Sequence, residues 1–181
     1  MSNTVEPIRG KKDRERMKEA LHGRDRLLFT LGVSIGLRIS DLLELKIGDV
    51  RGQTSVKVRE KKTKKVREIH LNKTMQKELA SLTGPDDEYI FKSRQGGNKP
   101  ISRVQAYRIL NDAAKRAGIA DKIGPIGTHT LRKTFGYIMY QNGTDITRLM
   151  KILSHSSPEI TLDYIGITRE EIIEAYEAVE V

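Results

Sequence analysis

T-H-T-L-R-K-T-F-G at 128–136 and L-S-H-S-S-P-E-I-T-L-D-Y at 153–164 bound the stretch that decides how this chain is read. His129 and Arg132 are three residues apart, a spacing that stacks two side chains on one helix face. An imidazole and a guanidinium are thereby directed at one place. His155 stands between Leu153-Ser154 and Ser156-Ser157-Pro158, where a helix should end and a turn begin. Nine residues later comes Tyr164, flanked by Asp163 and Ile165. A guanidinium, two imidazoles and a phenol in one such segment suit chemistry on an anion, and a phosphate fits best.

The rest of the composition agrees with an anionic partner. The 181 residues suffice for one domain with a real core, and the formal net charge is +9. Residues 169–181 carry one Arg against five Glu, a net −4, which leaves +13 on the preceding 168 residues. The body is therefore basic and suited to a polyanion, while the C-terminal segment is acidic. There is no Cys, which removes disulfides, thiolate zinc sites and thiol nucleophiles together. No apolar run is long enough to span a bilayer and no signal-peptide pattern is present, so a cytoplasmic protein with no membrane partner is expected.

Outward from the central stretch, the chain reads as mostly helical. Residues 1–10 lack periodicity and read as a loose tail. Lys11 to Leu21 reads as a charged helix, and Arg24 to Ile35 as a core helix with Leu27, Leu28, Leu31 and Ile35 on one face. Gly36 breaks it, and Ser40 is placed to cap a short helix bearing Leu42, Leu43 and Leu45. Arg38 lies in that break, either paired internally, with Asp41 as a candidate, or presented into a cleft.

From Thr54 to Leu71 the period changes to two, giving a β-hairpin whose arms carry Val56 and Val58, then Val66, Ile69 and Leu71. Lys61, Lys62, Lys64 and Lys65 crowd its tip. Such a run is usually just a solvated face, but the overall charge favours a basic finger on a phosphate backbone. Helices are expected over Lys73 to Leu82, Ser102 to Ala117, the His129 segment to Tyr140, Asp145 to Leu153 and Arg169 to Val179, with Tyr89-Ile90-Phe91 as a short strand. The loop at 93–100 offers Arg94 and Lys99, and the Ser102 helix turns Arg103, Arg108, Lys115 and Arg116 outward. The expected class is α+β, mainly α with one small antiparallel sheet.

G-L-R-I-S-D-L (36–42), the hairpin lysine, H-T-L-R (129–132), L-S-H-S-S (153–157) and the trailing Tyr164 together resemble the catalytic domain of the tyrosine recombinases, or phage integrases. One H-x-x-R occurs by chance on helix faces; five elements in order do not. The resemblance spans about Arg24 to Ile167. Carried over by position, it makes Arg38 and Arg132 the catalytic arginines, Lys62 the hairpin lysine, His129 and His155 the two imidazoles and Tyr164 the nucleophile. Asp41 stands where the family often has Glu, one methylene longer, and is a supporting carboxylate.

These roles also make chemical sense. Two forked guanidiniums can neutralise charge developing on a phosphodiester. A phenol with a pKa near 10 needs a base, for which His129 is the candidate. The departing 5′ oxygen needs a proton, which Lys62 can supply. His155 would bond a phosphate oxygen. The ester stores the broken bond, so no metal or nucleotide cofactor is implied. Alone, each residue has a blander reading: an interface Tyr, a core His, a His at a helix C-terminus. His22, His70, Tyr89, Tyr107, Tyr137, Tyr140 and Tyr176 keep that reading.

The resemblance implies a site-specific recombinase that cleaves and rejoins double-stranded DNA through a 3′-phosphotyrosine, working with copies of itself in a DNA-bound tetramer. Two alternatives share the scaffold: a type IB topoisomerase-like DNA-relaxing enzyme, and a non-catalytic DNA-binding module, against which six intact candidate residues argue. The expected organisation is a tail (1–10), a catalytic domain (11–168) and an acidic helix (169–181) that either docks on its own domain or exchanges between protomers. Members of the family usually place a DNA-clamping domain ahead of this one, for which the few residues before Lys11 leave no room, so the chain is expected to be either a piece of a longer integrase or a naturally short recombinase.

Overall fold

The computed structural model describes residues 5–62, 64–127 and 129–179, and in the last helix the side chains of Arg169, Ile172 and Ala175 lie outside that description. Thr63 and Thr128, the latter the first residue of the central stretch, fall outside it too, and Ile172, expected on the apolar side of the last helix, has its side chain outside the described residues. Among the described residues the chain forms α1 (Lys11–Glu19), α2 (Gly23–Ile35), α3 (Ile39–Leu42), α4 (Ile47–Val50), β1 (Ser55–Arg59), β2 (Val66–His70), α5 (Lys73–Ala80), α6 (Arg103–Arg116), α7 (Ala120–Ile123), α8 (Thr130–Gln141), α9 (Ile146–Leu153), α10 (Pro158–Ile165) and α11 (Arg169–Glu177). The class is as expected: mainly α, with one two-stranded antiparallel sheet.

The main core gathers α2, α3, α4, the hairpin, α5 and α6 around fully buried side chains such as Leu28, Leu31, Leu42, Val56, Leu79 and Phe91. α8 lies against α2. Gly36 ends α2 with φ +59, and a Cβ there would collide with the Phe135 ring of α8. Both the left-handed turn and the close approach demand glycine. A second, smaller cluster of Leu149, Leu153 and Ile165 joins α8, α9 and α10, and Tyr164 packs against it.

Several local expectations shift. α3 begins at Ile39 with Arg38 at its cap, so Ser40 lies inside the helix instead of capping it. Tyr89 and its neighbours form only an isolated bridge to Lys46, although Ile90 and Phe91 are buried. In the hairpin Val58 faces Arg67 and Val56 faces Ile69. Cross-strand partners share a face, so Arg67 and Ile69 turn inward and Val66 is 68% exposed, contrary to its expected inward role. The reading of 1–10 as loose does not hold for its described part. Ile8 is fully buried, its N–H donates to Thr134 Oγ1 at 2.9 Å, and Arg9 donates to the Gly166 carbonyl. One apolar side chain and two polar anchors fix this segment across α8 and the end of α10.

Candidate active site

The central stretch is folded as its punctuation requires. His129 caps α8, so His129 and Arg132 occupy one side of its first turn. α9 stops at Ser154 in the left-handed conformation, φ +55, and the His155 N–H returns to the Met150 carbonyl at 3.0 Å. Ser157 then caps α10, its hydroxyl accepting from the Ile160 N–H, with Pro158 in the first turn. The tight reversal between α9 and α10 brings Tyr164 back over His155.

Tyr164 Oη lies 3.3 Å from His129 Nδ1. The His155 ring meets the Tyr164 ring edge-on, with centroids 4.8 Å apart. The Thr161 hydroxyl, 3.1 Å from His155 Nδ1, holds that imidazole in place. Arg132 is 2% exposed. Its Nη1 donates to the Gly36 carbonyl and its Nη2 to the Leu153 carbonyl, both at 2.8 Å. These bonds fix the guanidinium between the ends of α2 and α9, the two sequence breaks that bear Arg38 and His155.

Arg38 is paired, but not by Asp41. Its Nη1 lies 2.8 Å from Glu60 Oε2, in an alignment too poor for a hydrogen bond, which leaves that buried nitrogen without one among the described residues. Asp41 turns to the hairpin, where Oδ1 accepts from the Lys61 N–H at 3.0 Å. The Arg38 partner that sequence proximity suggested, Asp41, is thus replaced by Glu60 from the hairpin. Glu60 is fully buried and also lies 3.0 Å from Arg67 Nη1 and 3.9 Å from Arg132 Nη1.

The electrostatics follow from this crowd of cations. Partial desolvation, then Arg132, Arg38, Lys133 and Lys62, depress the His129 pKa below its ordinary value. His155 is lowered by desolvation and by the same two arginines. Both imidazoles therefore favour the neutral form at neutral pH. Burial raises the Tyr164 pKa, opposed by the charges of Arg132 and Arg38. The resting phenol keeps its proton, and a base must take it.

All six expected catalytic residues converge. Arg38, His129, Arg132, His155 and Tyr164 are in direct or electrostatic contact, and Lys62 is exposed on the hairpin turn, its charge the smallest of those that lower the His129 pKa. Two neighbours of these residues were missed. Lys133 is buried, with Nζ 5.4 Å from the Tyr164 ring centroid; nothing in the sequence marks it out from any lysine beside Arg132. Glu60 did carry a signal: it continues the inward alternation of Val56 and Val58.

The expected DNA contacts are scattered. Lys64, Lys65, Arg94, Lys99, Arg103, Arg108, Lys115 and Arg116 are exposed. Lys61 is tied to Glu44 at 2.8 Å. Arg103 lines a small cleft with Ile39 and Leu131, the chain neighbours of Arg38 and Arg132. Arg116, at the far end of a helix about 20 Å long, donates instead to the Ala20 carbonyl at 2.9 Å. Among the described residues no group of three or more His, Asp or Glu could hold a metal ion, and no helix is long and apolar enough to cross a membrane.

Residues 10–171 match the model of the phage integrase family. The chain belongs to that family. It is 45% identical over 177 residues to the probable integrase/recombinase YoeC of Bacillus subtilis, covering 95% of both chains. It is 33% identical over 159 residues to the tyrosine recombinase XerA of Pyrococcus furiosus, covering 85% of this chain and 54% of that protein. The chain thus spans nearly all of the first relative and about half of the second. Two crystal structures share the fold. XerA recombinase has a TM-score of 0.77 at 24% identity, over 100% of this chain and 66% of that one. XerH bound to a palindromic DNA substrate after cleavage has a TM-score of 0.76 at 20% identity, over 98% of this chain and 54% of that one. The fold is that of a tyrosine recombinase catalytic domain.

Proposed function

We propose that this chain is the catalytic domain of a site-specific recombinase that breaks and rejoins double-stranded DNA through a 3′-phosphotyrosine. The observation that carries the reading is the 3.3 Å contact of Tyr164 Oη with His129 Nδ1 inside a ring of cations. His129, neutral because its pKa is depressed, takes the phenolic proton. Tyr164 Oη forms a bond to phosphorus, and Arg38 and Arg132 offset the charge gathering on the non-bridging oxygens. His155 bonds one of those oxygens. The bond from phosphorus to the 5′ oxygen breaks as Lys62 protonates that oxygen. The strand's 3′ phosphate is left on Tyr164, and a 5′ hydroxyl later attacks it in reverse.

The basic face around the hairpin tip, the 93–100 loop and the start of α6 grips the phosphate backbone. Further copies of the chain complete a tetramer on DNA. The test is a duplex nicked next to the cleavage point, so that the short 5′ fragment diffuses away and rejoining fails. A covalent protein–DNA adduct on a denaturing gel supports the reading. A duplex bound but never joined to protein would leave a non-catalytic module.

A further inference from the structure

Glu60 has no part in the reaction as described, yet it is the fully buried carboxylate at the meeting point of the site's cations. Its Oε2 faces Arg38 at 2.8 Å, while its Oε1 faces Arg67 at 3.0 Å and Arg132 at 3.9 Å. A buried charge of this kind persists only where several partners compensate it. Its backbone is equally committed. The Glu60 N–H donates to the Lys65 carbonyl at 3.0 Å, and its carbonyl accepts from the Lys64 N–H at 2.9 Å. Those two bonds close the hairpin tip on which Lys62 stands. One residue thus holds the base of the tip with its main chain and the arginine pair with its side chain.

We propose that Glu60 is a positioning residue that locks the hairpin tip to Arg38 and Arg132, and so sets where Lys62 delivers its proton. The inference rests on the function proposed above. Asp41 supports the same joint from the other side, through the Lys61 N–H at 3.0 Å. Two carboxylates therefore clamp the first residues of the tip to the helix that carries Arg38. The geometry also explains a charge balance: one carboxylate among three guanidiniums fixes them without cancelling them, leaving net positive charge for a phosphate.

Two variants and two readouts test this. Glu60→Asp keeps the charge and withdraws it by one methylene; Glu60→Gln removes the charge, and if it fails to fold the Asp variant carries the measurement. The first readout is amide hydrogen exchange in the DNA-free chain. Exchange at Lys61 and Lys64 should quicken about tenfold while the α8 amides hold, because the tip opens locally. Unchanged exchange at the tip overturns the proposal whatever the protein does to DNA.

The second readout compares adduct formation on ordinary nicked DNA and on DNA whose 5′ leaving oxygen is sulfur. A thiolate leaves without a proton, so a misplaced Lys62 matters less there. Glu60→Asp should slow the oxygen substrate about 100-fold and the sulfur substrate about tenfold or less. Equal losses on both overturn the link to Lys62, since a merely structural defect slows both alike. If the unaltered chain forms no adduct with either DNA, the proposed function falls, and the exchange measurement alone decides Glu60's hold on the tip.

Discussion

Arg132 and Lys62 are both cations aimed at the same phosphodiester in the proposed reaction, and the fold treats them in opposite ways. Arg132 is 2% exposed and its fork is occupied by the Gly36 and Leu153 carbonyls. Lys62 stands exposed on a turn, reached through a two-stranded ribbon. The difference follows the timing of the chemistry. Charge on the non-bridging oxygens is met best by donors fixed in advance, since reorientation during reaction costs energy. The leaving oxygen has a defined place only once DNA is seated, so its proton donor belongs on an element that adjusts. A rigid half and an adjustable half predict different mutational behaviour.

The largest effect falls on the rigid half. Tyr164→Phe removes the attacking oxygen and leaves the ring on the Leu149, Leu153 and Ile165 cluster. Adduct formation should vanish from denaturing gels while DNA affinity, carried mostly by phosphate contacts, stays within about twofold. An adduct formed by the Phe variant would identify another tyrosine as the nucleophile. Next comes Lys62→Ala. General-acid loss should slow cleavage about 10²- to 10⁴-fold on ordinary DNA and far less on the sulfur-substituted strand. Equal losses would place Lys62 among the backbone contacts, and Lys61 or Lys64 would then be examined.

Arg132→Lys sharpens the contrast, because it keeps the charge and loses the fork. An ammonium cannot hold two carbonyls and a phosphate in one plane. The loss of a fixed donor predicts a fall of about 10²- to 10³-fold in rate, with no relief from sulfur substitution. Relief by sulfur would move Arg132 onto the leaving-group side.

A milder effect comes with pH. His129 and His155 have pKa values below their ordinary 6.5 in the folded chain. Just below that value the unfolded chain binds more protons than the folded one, so stability rises with pH in this window. It is therefore full above about 6.5 and is lost as pH falls through the depressed folded values. Melting temperature should fall on acidification, less steeply in a His155→Gln variant. Cleavage should fall in the same direction as His129 takes up its proton.

The rigid half was the more legible in the sequence, for a physical reason. Its residues sit at helix boundaries written in local chemistry: Gly36, the helix end and turn around His155, and the three-residue spacing of His129 and Arg132, although the cap at Ser157 and the helix it opens were not foreseen. Tertiary pairing is not written locally. Asp41, three residues from Arg38, looked like its partner, whereas Glu60 arrives from the hairpin by a register that only folding reveals. Lys133 shows the limit again, since nothing but the packing of α10 over α8 distinguishes it. The burial of Ile8 depends likewise on a surface assembled by the far end of the chain.

The smallest expected effect concerns α11, an element held more lightly than either half of the site. Its docking depends heavily on one carboxylate. Glu171 receives the Tyr137 hydroxyl at 3.0 Å, Gln141 Nε2 at 3.2 Å and Arg9 Nη1 at 3.3 Å, and it caps its own helix through the Thr168 N–H at 2.9 Å. Meanwhile Ile173, Tyr176 and Val179 remain 45%, 78% and 71% exposed. The helix is tethered in cis by polar contacts while apolar surface stays open, an arrangement that can be undone at small cost. Glu171→Ala should therefore lower stability by only about 1 kcal/mol, the net worth of a partly exposed hydrogen-bonded group. DNA affinity and adduct formation should barely change, because α11 is acidic and lies apart from the phosphate site. A thermal melt checks the first statement and the nicked duplex the second. A loss of several kcal/mol would show that α11 belongs with the rigid half; a loss of cleavage at intact stability would show that it helps to place Tyr164.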